Sequence, residues 1–202
     1  MKLYRPVGLF EMKKILDMEG MGFPPRLEEQ PIFYLVLNYE YAKQIASEWN
    51  VKDYNSGFAG YVIEFTIKDD YIENFEIHRV GQEHHKEFWI PAEILPIFND
   101  NIIGKIKIID AFFGENYTGI QPERVFWFKE KDLNEQLMQL EKIANYNMLD
   151  FSGTVSVEWK LINLNYIYWK RNNNKSSLLD MLEKCLERNN KKYFDSCTAL
   201  KR

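Results

Sequence analysis

Polar and apolar positions alternate from the start of the chain. Leu3 and Arg5 fall to one side and Tyr4 to the other, which predicts an opening strand over residues 2–6. Leu9, Met12, Ile15 and Leu16 then recur at helical spacing, predicting a helix over 8–18 that stops at Gly20-Met21-Gly22. Phe23-Pro24-Pro25-Arg26 follows as a stiff, extended loop. Residues 30–37 form an unbroken apolar run, as expected of a strand buried on both faces. Asn38 then caps a helix over 39–49, with Tyr41, Ala42, Ile45, Ala46 and Trp49 on one face. Further strands are expected at Ala59–Ile67, 75–80, 84–91 and Ile102–Phe113, separated by a helical turn at 69–74 and a short helix at 92–98.

Past residue 120 the pattern changes. A last strand is expected at 125–128. Asp132 caps a helix over Leu133–Tyr146, residues 156–171 read as an aromatic-rich helix, and Ser176–Asn189 is amphipathic through Leu178, Leu179, Leu182 and Leu186. The final residues are expected to fray.

Composition narrows the picture a little. With 46% apolar and 28% charged residues, 202 residues suit one globular domain with an extension. A net charge of -4 gives no general attraction to nucleic acid or anionic lipid. No apolar segment approaches bilayer-spanning length and the N-terminus lacks a signal-peptide core, so no membrane partner is expected. Cys185 and Cys197 are too sparse for a disulfide framework, which points to a reduced cytoplasm. Lysine plus arginine stand at 12 against 19 acids in residues 1–120, and at 14 against 11 beyond. That step sets a domain boundary near residue 120.

Candidate chemistry is sparse: there is no Gly-rich phosphate loop and no Gly-x-Ser-x-Gly elbow. The histidines are His78, His84 and His85; the adjacent pair lies near Glu83 and Glu87, but neighbouring strand residues point to opposite faces, so no metal site is expected. The sharper feature is Glu87 at the head of Phe88-Trp89-Ile90-Pro91. A carboxylate desolvated there must be paired, protonated or used, whereas on an exposed edge it would simply be wet. Arg5 inside a strand is a second oddity, because arginine is rarely buried without an anion. The plainer readings are a surface ion pair for Arg5, core packing for Tyr34 and a helix cap for Asn38.

These elements in this order resemble the ADP-ribosyltransferase fold. The likeness rests on Glu87-Phe88-Trp89-Ile90-Pro91, Leu3-Tyr4-Arg5-Pro6-Val7-Gly8, Phe23-Pro24-Pro25-Arg26 and Gln30-Pro31-Ile32-Phe33-Tyr34, and spans residues 2–113. It extends to small bacterial proteins carrying an ADP-ribosylation label. The resemblance implies an α+β protein. Residues 1–118 would form two small facing sheets with peripheral helices and NAD between them, and 119–202 a mostly helical extension able to engage a protein partner. NAD would be the substrate, with no metal, and the acceptor an unidentified protein or nucleic acid. By the same resemblance Glu87 is the catalytic carboxylate, Tyr34 stacks on nicotinamide, and His85 orients Glu87 or the nucleophile. Arg5, Arg26 and Asn38 would contact the cofactor. Two departures stand out: His85 occupies a position where members often carry an acid or glutamine, and the family's Ser-Thr-Ser strand is absent. A catalytically degenerate binding module is therefore the leading alternative. A further rival is a nucleic-acid-directed member, in which Trp127, Trp159, Tyr166, Tyr168 and Trp169 would stack on bases.

Overall fold

A computed structural model describes residues 1–122 and 124–189. Two compact units emerge, one over Met1–Tyr117 and the other beginning at Thr118. The N-terminal unit holds β1 (Lys2–Gly8), α1 (Leu9–Asp17), β2 (Ile32–Val36), α2 (Tyr39–Gln44), β3 (Ala59–Ile67), α3 (Asp69–Ile72), β4 (Ile77–Arg79), β5 (Lys86–Pro91), α4 (Leu95–Asp100) and β6 (Ile102–Phe113). The architecture is mixed α/β, built on one antiparallel sheet of order β4-β5-β2-β1-β3-β6.

Two facing sheets were expected, and one six-stranded sheet is found. It is nonetheless poorly joined at its middle. β1 pairs with β3 along its length, from Lys2 opposite Thr66 to Gly8 opposite Gly60. β2 pairs with β5 from Ile32 opposite Pro91 to Val36 opposite Glu87. Between β1 and β2, however, the register holds at Tyr4 and Val36 alone. Continued, it would set Pro6 against Tyr34, and proline has no N–H to give a ladder. The Tyr34 carbonyl takes its hydrogen bond from the Arg5 guanidinium instead.

Cross-strand partners share a face, so the pairings sort the side chains. One face carries Leu3, Arg5, Val7, Phe33, Leu35, Ile63, Phe65 and Phe88, covered by the apolar stripe of α1. Phe23, Phe33, Phe65 and Phe98 pack there with ring centroids 4.7 to 6.3 Å apart. The other face carries Tyr4, Val36 and Val62 beneath Tyr41, Ala42 and Ala46. After α2 the backbone widens into a π-helical turn, Ile45–Trp49, and presses on β3. A β-carbon on Gly60 would lie 2.1 Å from the Ala46 carbonyl oxygen, so this contact requires glycine. β2 is not buried on both faces as its apolar run predicts: Tyr34 is 45% exposed.

The second unit is helical: α5 (Leu133–Tyr146), α6 (Met148–Val157), α7 (Trp159–Asn172) and α8 (Ser176–Asn189). The strand expected at 125–128 is a 3-10 turn, Phe126–Phe128. The Arg124 and Val125 N–H groups donate to Glu158 at 2.6 Å each, which commits them away from any ladder. Residues 156–171 are not one helix, since the chain breaks at Glu158 between α6 and α7. α7 is buried almost throughout, and its Asn165 amide donates to Gln136 of α5 at 2.9 Å. Cys197 and the terminus expected to fray lie outside the described residues. No described helix is long and apolar enough to cross a membrane.

Candidate functional site

Glu87 sits at the second position of β5 and is only 9% exposed. Its Oε1 accepts from the Tyr41 hydroxyl and its Oε2 from the Trp89 indole N–H, both at 2.8 Å. Among the described residues it forms no ion pair. The carboxylate is thus held by neutral donors alone, with lone pairs remaining on both oxygens.

Tyr41 reaches it because Asn38 starts α2 in the right place. The Asn38 Oδ1 accepts from the Tyr41 N–H at 2.8 Å, and its amide donates to the His84 carbonyl. One side chain thereby caps the helix and ties it to the loop that feeds β5. Burial pushes the Tyr41 phenol up to about 12, helped by its hydrogen bond and proximity to Glu87, so it stays a donor through the neutral range.

Rings enclose this pair. His85 stacks on Tyr41 at 4.2 Å and 17°, with its Nε2 buried and without a protein partner. His78, opposite Glu87 in the ladder, stacks on Trp89 at 4.2 Å and 19°. Tyr34 meets Trp89 edge-on at 5.8 Å. Tyr34 and Trp89 are 45% and 39% exposed, so π surface faces outward beside a recessed carboxylate.

The arginines are elsewhere. Arg5 alternates with Tyr4, which pairs with Val36, which pairs with Glu87; Arg5 therefore lies on the opposite face from Glu87. Its guanidinium grips Glu11 through two hydrogen bonds of 2.9 and 3.1 Å and lies 4.4 Å from the Phe33 ring centroid. Arg26 adds a contact of 3.4 Å to Glu11 and a bond of 2.6 Å to Gln30. Burial alone would raise the Glu11 carboxyl, but the charge and hydrogen bonds of Arg5, seconded by Arg26, hold it below the usual range. Of the residues expected to converge, Tyr34, Asn38, His85 and Glu87 gather at one place. Arg5 and Arg26 form a separate cluster, because strand alternation sends Arg5 through the sheet to an anion on α1.

Sequence reasoning missed Tyr41, Trp89, His78 and Glu11. Trp89 was accessible, since it stands two places after Glu87 on one strand and must share its face. Tyr41 follows three residues behind a cap, the position whose N–H that cap takes. His78 depends on a register that no local pattern specifies. Of the aromatics named for base stacking, Tyr166 and Trp169 are 1% exposed, bonded to Glu183 and to the Leu133 carbonyl, whereas Trp127 is 49% exposed. No cluster of three or more His, Cys, Asp or Glu suited to a metal occurs among the described residues. Comparison with protein-family models, curated proteins and solved structures gave no match to this chain.

Proposed function

We propose that the Glu87 site cleaves the nicotinamide–ribose bond of NAD and passes ADP-ribose to an acceptor or to water. The observation that carries this reading is a recessed carboxylate with no counter-cation among the described residues, fixed by two neutral donors beside outward-facing rings. Bond cleavage develops positive charge on the ribose, as in glycoside hydrolysis, and nicotinamide leaves with the bonding electron pair. A fixed carboxylate stabilises that charge and accepts from ribose hydroxyls with its spare lone pairs. Tyr41 and Trp89 hold Glu87 in orientation, while Tyr34 and the Trp89 edge offer π surface to the cationic nicotinamide. The acceptor hydroxyl or amine then adds to the ribose carbon and releases its proton, with Glu87 or His85 as the nearby base. The resemblance noted in the sequence and the split between β1 and β2 support the same reading.

The test is nicotinamide release from labelled NAD, wild type against Glu87→Gln. Turnover lost in the variant supports the assignment; no turnover in the wild type, or equal turnover in both, refutes it. Because Arg5 and Arg26 are engaged by Glu11, nicotinamide mononucleotide is expected to compete nearly as well as NAD. A second reading, a non-catalytic module of the same fold, draws support from that same engagement of the two arginines. Calorimetry separates the two readings: such a module gives either no heat with NAD or binding without nicotinamide release.

A further inference from the structure

A groove of about 590 Å³ runs between α5 and α6 in the second unit, lined also by Val125 and Trp127. α5 turns its core stripe, Leu133, Leu137 and Leu140, inward. Its neighbouring stripe, Gln139, Lys142, Ile143 and Tyr146, lines the groove together with Leu149, Asp150, Gly153 and Val157 of α6. The lining is unusually apolar for a wet surface: Tyr146 is 85% exposed, Leu149 82% and Trp127 49%. At about 200 Å² per aromatic side chain, the open parts of Trp127 and Tyr146 come to roughly 270 Å². That is about a third of the ~800 Å² each partner gives to a standard interface, before the aliphatic side chains are counted.

We infer that a second copy of this chain occupies the groove, in a two-fold symmetric contact between α5–α6 hairpins. A two-fold interface needs one patch that is complementary to itself, and two observations meet this requirement. The patch holds both projections and a hollow: Leu149 and Tyr146 stand out from the rim, while a β-carbon at Gly153 would meet nothing within 4 Å. It also holds both charges, with Lys142 contributed by α5 and Asp150 by α6. Lys142 makes no ion pair among the described residues, and Asp150 accepts a bond of 3.2 Å from Asn147. Under a two-fold axis each Lys142 can meet the partner's Asp150, and each Leu149 can enter the hollow over the partner's Gly153. A small ligand would fill the hollow yet leave Tyr146 and Leu149 in water, so the groove suits a macromolecular surface of the same kind.

Sedimentation equilibrium from micromolar to submillimolar concentration tests this on the full chain. Wild type is expected to dimerise. Leu149→Asp, at an exposed position, is expected to be monomeric with unchanged helical circular dichroism. Lys142→Glu sets like charges together twice over and should weaken association roughly tenfold or more, and adding Asp150→Lys should restore most of it. A monomeric wild type overturns the proposal, and so does a dimer that Leu149→Asp leaves intact. A double charge reversal no tighter than Lys142→Glu alone also overturns it, and would mean that another partner covers the groove.

Discussion

Removing the Tyr41 hydroxyl tests the geometry of the Glu87 site without touching the carboxylate. Tyr41 and Glu87 are 6% and 9% exposed, so little water can replace the lost donor. A hydrogen bond to a charged group contributes about 1.5–3 kcal/mol; at this burial Tyr41→Phe should destabilise the N-terminal unit by about 2 kcal/mol. With a urea slope near 2 kcal/mol per molar, the midpoint should fall by about 1 M. Glu87→Gln supplies the internal control. The Trp89 N–H can only donate, so the glutamine oxygen must turn toward it, and the amide then donates to Tyr41, whose hydroxyl reverses its role. That rearrangement keeps one bond to each partner, and the bond left to Tyr41 is neutral, with its hydroxyl proton turned away from the amide. In the Glu87→Gln background, Tyr41→Phe should therefore cost only about 1 kcal/mol. The coupling between the two sites should be about 1 kcal/mol by double-mutant cycle, followed by tyrosine-independent circular dichroism. A Tyr41→Phe cost below about 0.5 kcal/mol, or equal costs in both backgrounds, would refute a charge-assisted bond at this position.

Three other expectations follow from the fold. The Glu11 carboxyl is depressed below its ordinary value of 4.5, so it contributes stability above that pH and loses it as the pH falls through the folded value. Acid titration of wild type should thus show a decline below pH 4.5 that Glu11→Gln lacks, and parallel curves would contradict the pairing. Gly60→Ala drives a β-carbon into the Ala46 carbonyl and should destabilise by about 3 kcal/mol or more, read from the same urea titration; a cost under about 1 kcal/mol would deny the contact. Asn38→Ala should cost about 1 kcal/mol as a lost cap and speed amide exchange around His84 and Glu87, whereas unchanged exchange would separate the cap from the loop.

What the chain revealed before folding was mostly local. The stripes of α1 and α8 and the alternation of β6 are written in short-range spacing, and the Asn38 cap needs only the N–H three residues on. Glu87 drew attention because a carboxylate at the head of an apolar strand is locally anomalous. What stayed hidden depended on long-range pairing. No spacing reveals that Pro6 would fall opposite Tyr34, or that Arg5 finds its anion on the helix immediately following its own strand rather than at a ligand. The helix at 148–157 offers no clear apolar period, because its buried residues are Phe151, Thr154 and Val155, and the polar Gln136 and Asn165 are buried where they bond each other and the Ile120 backbone.

The seam between β1 and β2 has one more consequence. A sheet normally shows its unpaired backbone at its two outer margins, but here a stretch of such backbone lies in the interior, with one guanidinium across it. Removing that guanidinium, for instance by Arg5→Met, would strip the Tyr34 carbonyl of its donor and leave the Glu11 carboxylate to Arg26 alone. One side chain thus bridges the weakest join of the sheet and anchors the helix that follows it, so its loss is expected to loosen both at once.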